Sequence, residues 1–131
     1  MANALPTVTP YLYYSDVGAA ISWLTRAFGW TETSRASGAD GQPFHAELAV
    51  ASDAAILIGC PGPGYRNPRQ LGQTTQSLYV RVSNVDEIFA RASAAGAAII
   101  EVPADQVYGD RRCGVEDCEG HCWYFAQPLK G

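Results

Sequence analysis

An internal repeat constrains the fold of this chain more than any other feature of its sequence. The segment Thr9–Val17 reappears about half a chain length later as Ser77–Val85. A repeat of this size indicates two copies of one module, and each copy begins with the pattern of a strand followed by a helix. The positions that match are Thr9 with Ser77, Tyr11 with Tyr79, Ser15 with Ser83, Asp16 with Asn84 and Val17 with Val85.

The first copy predicts a strand, a helix and three further strands. A strand over Thr7–Tyr14 precedes a helix that Asp16 caps and Gly29 ends. Pro10 indicates that this strand lies at a sheet edge or carries a bulge. The helix has one apolar face, and three short strands follow it. The face consists of Val17, Ala20, Ile21, Leu24 and Phe28, and the strands are predicted over Trp30–Ser37, Phe44–Ala51 and Ala54–Cys60.

The second copy follows a linker, residues 61–76, which is rich in proline and glycine and has little periodicity. Asn84 and Glu87 have the spacing of a capping box at the start of the second helix. We expect one domain over residues 1–131, with module 1 over about 7–60 and module 2 over about 77–127. The elements of module 2 are a strand over Ser77–Val82, a helix with the apolar residues Val85, Ile88, Phe89 and Ala92 that ends at Gly96, strands over Ala97–Val102, Tyr108–Val115 and His121–Gln127, and a turn over Asp117–Gly120.

Strand alternation divides the side chains of each strand between two faces. Leu78, Val80 and Val82 suit the face that packs on the helix, so Tyr79 and Arg81 point to the opposite face. That face is too polar for a core and too aromatic for a bare surface, which is typical of a ligand-binding pocket. The candidate ligand-binding residues are Thr9, Tyr11, Tyr13, His45, Glu47, Ser77, Tyr79, Arg81, Tyr108 and Tyr124.

Composition and charge narrow the class of protein. The chain has 131 residues, of which 47% are hydrophobic and 17% charged, as in a globular domain that buries a core. A net charge of -4 disfavours nucleic acid as a partner. The N-terminus lacks the pattern of a signal peptide, and no stretch approaches the roughly 20 apolar residues that span a membrane. We therefore expect a cytoplasmic protein with neither a nucleic-acid nor a membrane partner, and with reduced cysteines.

These modules resemble the vicinal oxygen chelate superfamily, which includes glyoxalase I, extradiol dioxygenases, fosfomycin-resistance enzymes and bleomycin-resistance proteins. The resemblance covers about Thr7 to Gln127. Its motifs, Ser15-Asp-Val17, Tyr108-Gly-Asp-Arg111 and Asp117-x-x-Gly-His-x-Trp123, are typical of the bleomycin-resistance-like branch. The resemblance implies an α+β fold in which two tandem β-α-β-β-β modules form a cup-shaped mixed sheet, and it implies a homodimer.

The resemblance also implies a position for a divalent metal, which the enzymes of the family hold with His and Glu. The corresponding positions here fall near Thr9, Leu57, Ser77 and Tyr124. None of these residues is His, Glu, Asp or Cys, and hydroxyl groups rarely replace such ligands as a set. We therefore expect no metal and no cofactor, which argues against glyoxalase, dioxygenase and fosfomycin-transferase chemistry.

Cys113, Cys118, His121 and Cys122 invite a second metal hypothesis, a structural zinc site. Their spacing lacks the paired C-x2-C arrangement. His121 and Cys122 are also neighbours in a predicted strand and would point to opposite faces. We favour buried or incidental thiols, with zinc as the alternative.

Three polar residues of the predicted pocket face have two interpretations each. His45 and Glu47 form either an acid–base pair or a polar strand face bonded to Arg or Tyr neighbours, and we favour the second. Arg81 either binds a carboxylate or phosphonate or pairs with Glu47 or another acid.

Two segments outside the regular pattern have predicted structural or gating roles. Gly109 permits a bend, and the pair Asp110 and Arg111 is expected to brace the last hairpin. Tyr65 and Arg66, in the linker, are candidates for a ligand gate or a dimer contact.

The sequence thus favours a metal-independent small-molecule binding protein, a homodimer that takes an aromatic or cationic organic ligand. The alternative is a metal-dependent lyase, isomerase or dioxygenase with a non-standard site built from His45, Glu47, His121 or cysteine, so catalysis stays open. A third hypothesis is a regulatory or structural dimer whose cup is filled by its own side chains.

Overall fold

The computed structural model describes residues 5–130 of the chain. Each copy of the repeat has a strand, a helix and three further strands, and a short helix lies between the copies. The elements are β1 (Tyr11–Tyr13), α1 (Val17–Phe28), β2 (Thr31–Ser37), β3 (Pro43–Ala51), β4 (Ala54–Gly59), α2 (Pro68–Leu71), β5 (Ser77–Arg81), α3 (Val85–Ala94), β6 (Ala98–Asp105), β7 (Asp110–Glu116) and β8 (Cys122–Pro128).

The strands form two four-stranded mixed sheets with the same topology. Their strand orders are β1-β4-β3-β2 and β5-β8-β7-β6. In each sheet the first strand pairs in parallel with the last, and the other pairs are antiparallel. Tyr11 lies opposite Leu57, and its repeat partner Tyr79 lies opposite Tyr124. The predicted α+β fold of two β-α-β-β-β modules is confirmed.

The described chain divides into two compact units, which we call unit 1 and unit 2. Unit 1 contains residues 5–25 and 29–67, with the first sheet, and unit 2 contains residues 26–28 and 68–130, with the second. The boundary at residues 67 and 68 falls inside the predicted linker.

The helix α1 begins and ends where its capping residues predict. The carboxylate of Asp16 accepts a hydrogen bond from the N–H of Ala19 at 3.0 Å. At the other end, Gly29 has a φ of 76°, a left-handed conformation that glycine adopts without steric cost, and its N–H donates to the carbonyl of Thr25. All of the predicted apolar residues of this helix are buried.

The helix α3 also begins at its predicted cap. The side chain of Asn84 accepts from the N–H of Glu87 at 3.1 Å, which is one half of the capping box. Gln127 supplies a second acceptor that the sequence did not predict, at 2.9 Å from the N–H of Val85. The helix ends at Ala94, slightly before the predicted end.

The first strand is shorter than predicted, because Thr7–Pro10 are not part of it. Pro10 has no N–H to donate to the sheet, although its carbonyl accepts from the N–H of Leu57 at 2.9 Å. The strand β1 lies at a sheet edge, as Pro10 indicated. The strand assignment of Thr9 was therefore wrong.

Two further differences lie in unit 2. The strand β6 runs through Pro103 to Asp105, beyond its predicted end at Val102. A proline is tolerated there because β6 is an edge strand with an irregular register. The predicted linker contains the helix α2, whose four residues are too short to show a periodic pattern.

The core of unit 2 is built around two aromatic side chains of β8. Trp123 and Phe125 are fully buried, as alternation predicted. The ring of Phe28 meets them edge-on, at centroid distances of 5.8 and 4.9 Å. The opposite side of β8 carries Tyr124, which is partly exposed. Within residues 5–130, no helix has the length and apolarity required to cross a membrane.

Candidate functional site

Each sheet has one face opposite its core, and these two faces carry most of the predicted ligand-binding residues. The unit 1 face presents Tyr11, Tyr13, His45, Glu47, Leu57, Gly59 and the linker residue Tyr65. The unit 2 face presents Ser77, Tyr79, Arg81, Glu101, Tyr108, Asp110, Arg112, Gly114 and Tyr124.

On the unit 1 face, Tyr11 lies across Gly59 and reaches His45. The Tyr11 hydroxyl is hydrogen bonded to Nδ1 of His45 at 2.9 Å. A Cβ atom at Gly59 would lie 2.6 Å from this hydroxyl, closer than real Cβ atoms come to any heavy atom. Gly59 does not have a positive φ. The ring of Tyr11, rather than the backbone, therefore requires glycine at this position.

Three tyrosine rings continue this arrangement along the unit 1 face. Tyr11 and Tyr13 meet edge-on at 5.7 Å, and Tyr13 meets Tyr65 at 5.9 Å. The hydroxyl of Tyr65 also donates to the carbonyl of Tyr13 at 2.8 Å. Edge-to-face contacts at these distances are the favoured geometry of aromatic pairs. Tyr65, a candidate for a ligand gate or a dimer contact, thus lies against β1.

His45 and Glu47 share this face but have different partners. The side chain of His45 is hydrogen bonded to Tyr11, whereas the carboxylate of Glu47 accepts a hydrogen bond from the hydroxyl of Thr33 at 3.0 Å. This agrees with the interpretation of a polar strand face more closely than with an acid–base pair. A cavity of about 230 Å³ opens beside Glu47 and is lined also by Thr33, Ser52 and Asp53.

On the unit 2 face, Tyr79 binds a carboxylate. Its hydroxyl donates to Asp110 at 2.6 Å and lies 3.4 Å from the hydroxyl of Tyr108. Partial desolvation of the phenol and the hydrogen bond to Asp110 raise the pKa of Tyr79 well above its usual value. The phenol therefore stays protonated and remains a hydrogen-bond donor.

Arg112 lies beside this pair and is held on several sides. Its guanidinium donates to both carboxylate oxygens of Glu101, at 2.5 and 3.2 Å, and to the hydroxyl of Tyr108 at 2.9 Å. Its central carbon lies 5.3 Å from the ring centroid of Tyr124 and 6.0 Å from that of Tyr108, within cation–π range. Glu101 is the main cause that raises the pKa of Arg112.

Glycine again supports a tyrosine on this face. Gly114 lies opposite Tyr124 in the sheet, and a Cβ at Gly114 would lie 2.7 Å from Cε1 of that ring. Gly114 does not have a positive φ either. The ring of Tyr124 thus rests on bare backbone, as Tyr11 does on Gly59.

Sequence reasoning did not identify Glu101 and Arg112 as site residues, and it assigned Asp110 only a bracing role. The available signal was alternation along β7, which places Asp110, Arg112 and Gly114 on the face of Tyr124. Glu101 lies on an irregular edge strand, where alternation gives no reliable assignment.

Three of the predicted ligand-binding residues lie at or beyond the ends of their strands. The hydroxyl of Thr9 donates to the carbonyl of Pro6 at 2.9 Å. Ser77 and Arg81 are exposed at the two ends of β5. Within residues 68–130, Arg81 forms no ion pair, so no acid of unit 2 neutralises it.

The predicted pair of Asp110 and Arg111 does not act as a pair. Asp110 binds Tyr79, whereas Arg111 bridges Asp86 and Asp105, at 3.0 Å each. Consecutive strand residues point to opposite faces, which explains the separation. The expectation that Arg111 braces this region is correct, but its partners were not predicted. Its two carboxylate partners raise the pKa of Arg111.

The motif Asp117-x-x-Gly-His-x-Trp123 is structural. The buried carboxylate of Asp117 accepts from the N–H groups of Glu119 and His121, at 3.0 and 3.1 Å, and from the indole N–H of Trp123 at 2.9 Å. One side chain therefore closes the turn before β8 and holds the largest buried residue of unit 2.

The residues at the family's metal positions do not fit a divalent metal. Leu57 has no donor atom, and it lies in the same register position of its sheet as Tyr124 does in the other. Nowhere in residues 5–130 do three or more His, Cys, Asp or Glu side chains come together in a way that could hold a metal ion.

The cysteines are free thiols, as expected, in the part of the chain that the structure describes. Burial raises the pKa of Cys113 to about 11 and that of Cys118 to about 12. These thiols therefore stay protonated at neutral pH. This agrees with the interpretation of buried or incidental thiols.

Comparison with known proteins gives consistent results for the whole chain. Residues 5–125 match the family model of the Glyoxalase/Bleomycin resistance protein/Dioxygenase superfamily. An uncharacterized protein of Mycobacterium tuberculosis is 34% identical over 133 residues, which cover 98% of this chain and 78% of the relative. An uncharacterized protein of Mycobacterium bovis is also 34% identical, with 98% and 87% covered.

Two solved structures are similar over nearly the full length. TioX from Micromonospora sp. ML1 is 34% identical, with a TM-score of 0.78, and the match covers 97% of this chain and 100% of TioX. TnmS3, an antibiotic binding protein from Streptomyces sp. CB03234, has a TM-score of 0.70 at 19% identity, with 98% of each chain covered. At that identity the likeness to TnmS3 concerns the fold alone.

Proposed function

We propose that this chain, which belongs to the Glyoxalase/Bleomycin resistance protein/Dioxygenase superfamily, is a metal-independent protein that binds an aromatic or cationic organic molecule. The observation that carries the proposal is the distribution of its tyrosines. The chain has 7 tyrosines, and all except Tyr14 lie on the unit 1 or unit 2 face. Tyr14 is buried in the core.

The rings on these faces are presented rather than packed. Tyr11, Tyr13 and Tyr79 are about half exposed, at 50%, 48% and 48%. Tyrosine offers a flat apolar surface together with a polar hydroxyl, which suits a planar organic ligand with a few polar groups. Each ring that stacks on such a ligand contributes about 0.5–1.5 kcal/mol beyond the area it buries.

Fixed supports make these faces suitable for binding. Gly59 and Gly114 allow Tyr11 and Tyr124 to lie close to the backbone, and hydrogen bonds hold Tyr11 and Tyr79. A face that is ordered before the ligand arrives has less conformational entropy to lose on binding.

The donor chemistry at the family's metal positions supports metal independence, because Leu57 cannot bind a metal. The alternative, an enzyme with a shifted metal site, would need ligands grouped around His45, Glu47 or His121. In the described part of the chain, no such group of three exists.

The proposal includes a cytoplasmic homodimer. Analytical ultracentrifugation should therefore give twice the chain mass of 14.0 kDa. A monomer at all concentrations would contradict this part of the proposal.

Calorimetric titration tests the binding function. Trp23, Trp30 and Trp123 are all buried, so heat is a more direct signal than tryptophan fluorescence. Chelator-treated protein is titrated with a panel of planar neutral and cationic compounds that includes bleomycin-class molecules. We expect saturable binding of at least one compound, unchanged by added divalent metal.

Matched variants test whether the ligand binds to the unit 1 face and the unit 2 face. Tyr79→Ala and Tyr11→Ala should weaken binding, each by up to about tenfold if the ring stacks on the ligand. The control is Val107→Ala, which changes a fully exposed residue. No saturable binding, or binding that appears only with added metal, would contradict the proposal.

A further inference from the structure

We propose that Glu101 is a specificity-determining residue of the unit 2 face, which neutralises Arg112 beside the Tyr124 ring and keeps it from binding an anion. This inference rests on the proposed ligand-binding function of that face. It adds a preference of the site, which is for neutral or cationic aromatic groups over anionic ones at Arg112.

An arginine on a ligand-binding face ordinarily indicates recognition of an anion. The planar guanidinium offers paired N–H donors that match a carboxylate or phosphate. Here three of the five N–H donors have acceptors, including the Nε side of the guanidinium. Glu101 accepts from Nε and one terminal nitrogen of Arg112, and Tyr108 accepts from the other terminal nitrogen.

The charge of Arg112 is also neutralised. The carboxylate of Glu101 forms the ion pair, and both side chains are about one third exposed or less, at 27% for Arg112 and 33% for Glu101. An incoming anion would have to displace this carboxylate or lie beside it, and like charges at short range repel.

Three adjacent strands supply the residues around the guanidinium. Glu101 of β6, Gly114 of β7 and Tyr124 of β8 lie next to one another across the sheet. The Tyr124 ring supports Arg112 from one side, and the missing Cβ of Gly114 leaves room for that ring. Guanidinium groups stack on aromatic faces, so a neutral aromatic group of a ligand is a suitable partner for Arg112.

Arg81 provides an internal reference on the same face. It is exposed and forms no ion pair within residues 68–130. Any general attraction of anions to this face can therefore be attributed to Arg81 and separated from an effect of Arg112.

Three probes with one ring and different charges test the inference: 2-naphthylmethylamine, 2-naphthalenemethanol and 2-naphthoate. Calorimetry gives their affinities for the wild type, Glu101→Gln and Arg81→Gln, and for the double variant that combines these two changes. In Glu101→Gln we expect the affinity for 2-naphthoate to rise about tenfold, the value of one charge-assisted hydrogen bond. The affinity for the neutral probe should change by less than about twofold, since a neutral ring gains no ion pair.

The gain for the anion should persist when Arg81→Gln is added and should disappear when Arg112→Met is added instead. An unchanged affinity for 2-naphthoate in Glu101→Gln would overturn the inference. A gain that depends on Arg81 would overturn it too.

A second readout does not depend on ligand binding. Phenylglyoxal modifies free guanidinium groups, and mass spectrometry locates the products. In the wild type, Arg112 should react more slowly than Arg81, and Glu101→Gln should accelerate Arg112 alone. Equal rates in the wild type would overturn the inference. If no naphthalene probe binds the wild type, that result counts against the proposed function, and the modification rates still decide the role of Glu101.

Discussion

Tyr11 of unit 1 and Tyr79 of unit 2 occupy equivalent positions in the two copies of the module, yet they bind chemically different partners. Tyr11 is bonded to the imidazole of His45, and its neighbours are other aromatic rings. Tyr79 is bonded to a carboxylate, beside an arginine that a second carboxylate neutralises. The pairing of β1 with β4 corresponds to that of β5 with β8, so the two tyrosines start from the same backbone position.

This difference indicates a division of roles between the faces. Uncharged ring contacts on the unit 1 face are weakly directional, which suits ligands of varied shape. Charge-assisted hydrogen bonds on the unit 2 face are stronger and fix their partners in space. We expect shape tolerance from the first face and chemical selectivity from the second.

We expect the largest loss of stability from a substitution in the turn that precedes β8. Asp117→Ala leaves the indole N–H of Trp123 and two backbone N–H groups without their acceptor in a buried setting. We expect the free energy of unfolding to fall by about 3 kcal/mol or more, measured by urea denaturation.

The corresponding turn of unit 1 supplies the control. Asp53 lies in the turn between β3 and β4 and is exposed. Asp53→Ala should change the free energy of unfolding by less than about 0.5 kcal/mol. Similar losses for the two variants would show that the buried carboxylate has no special role.

We expect the next largest loss of stability from substitutions of the glycines that support the tyrosine rings. Gly114→Ala places a methyl group 2.7 Å from the Tyr124 ring, which also carries Arg112, so we expect a loss of about 1–3 kcal/mol from overpacking. Gly59→Ala should cost less, because the nearest atom is the terminal hydroxyl of Tyr11, which can move away.

Gly64→Ala is the matched control for both glycine variants. No heavy atom lies within 4 Å of a Cβ at Gly64, and its φ is not positive. Thermal denaturation of the three variants should rank them in the order Gly114, Gly59, Gly64, from the largest loss to the smallest. A larger loss for Gly59→Ala than for Gly114→Ala would contradict the view that the Tyr11 hydroxyl moves away more easily than the Tyr124 ring.

The smallest effect concerns the tyrosine hydroxyls. Tyr79→Phe removes a hydrogen bond to a carboxylate, and partial exposure reduces its value, so we expect a loss of about 1 kcal/mol. Tyr11→Phe should cost about half as much or less, because its partner is an imidazole nitrogen rather than a carboxylate.

The contribution of Tyr79 should also depend on pH. Its folded pKa is raised above the ordinary value of 10.0, so the folded state binds this proton more tightly than the unfolded state. The stabilisation is complete below pH 10 and is lost as the pH rises further. Urea denaturation should therefore give a smaller difference between wild type and Tyr79→Phe at pH 11 than at pH 8. A difference that grows with pH would contradict the assigned hydrogen bond.

The fold followed from the sequence because its signals were local and occurred twice. Asp16 and Gly29 marked both ends of α1, and Asn84 marked the start of α3. The length of β1 was overestimated, because whether a strand continues past Pro10 depends on the position of the proline in the sheet. The helix α2 was missed because four residues cannot show a period.

The candidate site was predictable only in part. Alternation correctly placed Tyr79 and Tyr124 on one face. The partners of Tyr79 and Arg111 could not be predicted, since each involves a contact between elements whose register the sequence does not specify. The supporting roles of Gly59 and Gly114 were hidden for the same reason.

Tyrosine ring resonances test the central claim most directly. In protein with isotope-labelled tyrosines, nuclear magnetic resonance separates the ring signals during titration with a compound that binds. We predict that ring signals of the two faces shift, above all those of Tyr79, Tyr108 and Tyr124, while the buried Tyr14 stays unchanged. Saturable binding that leaves all the face tyrosines unperturbed would contradict the account.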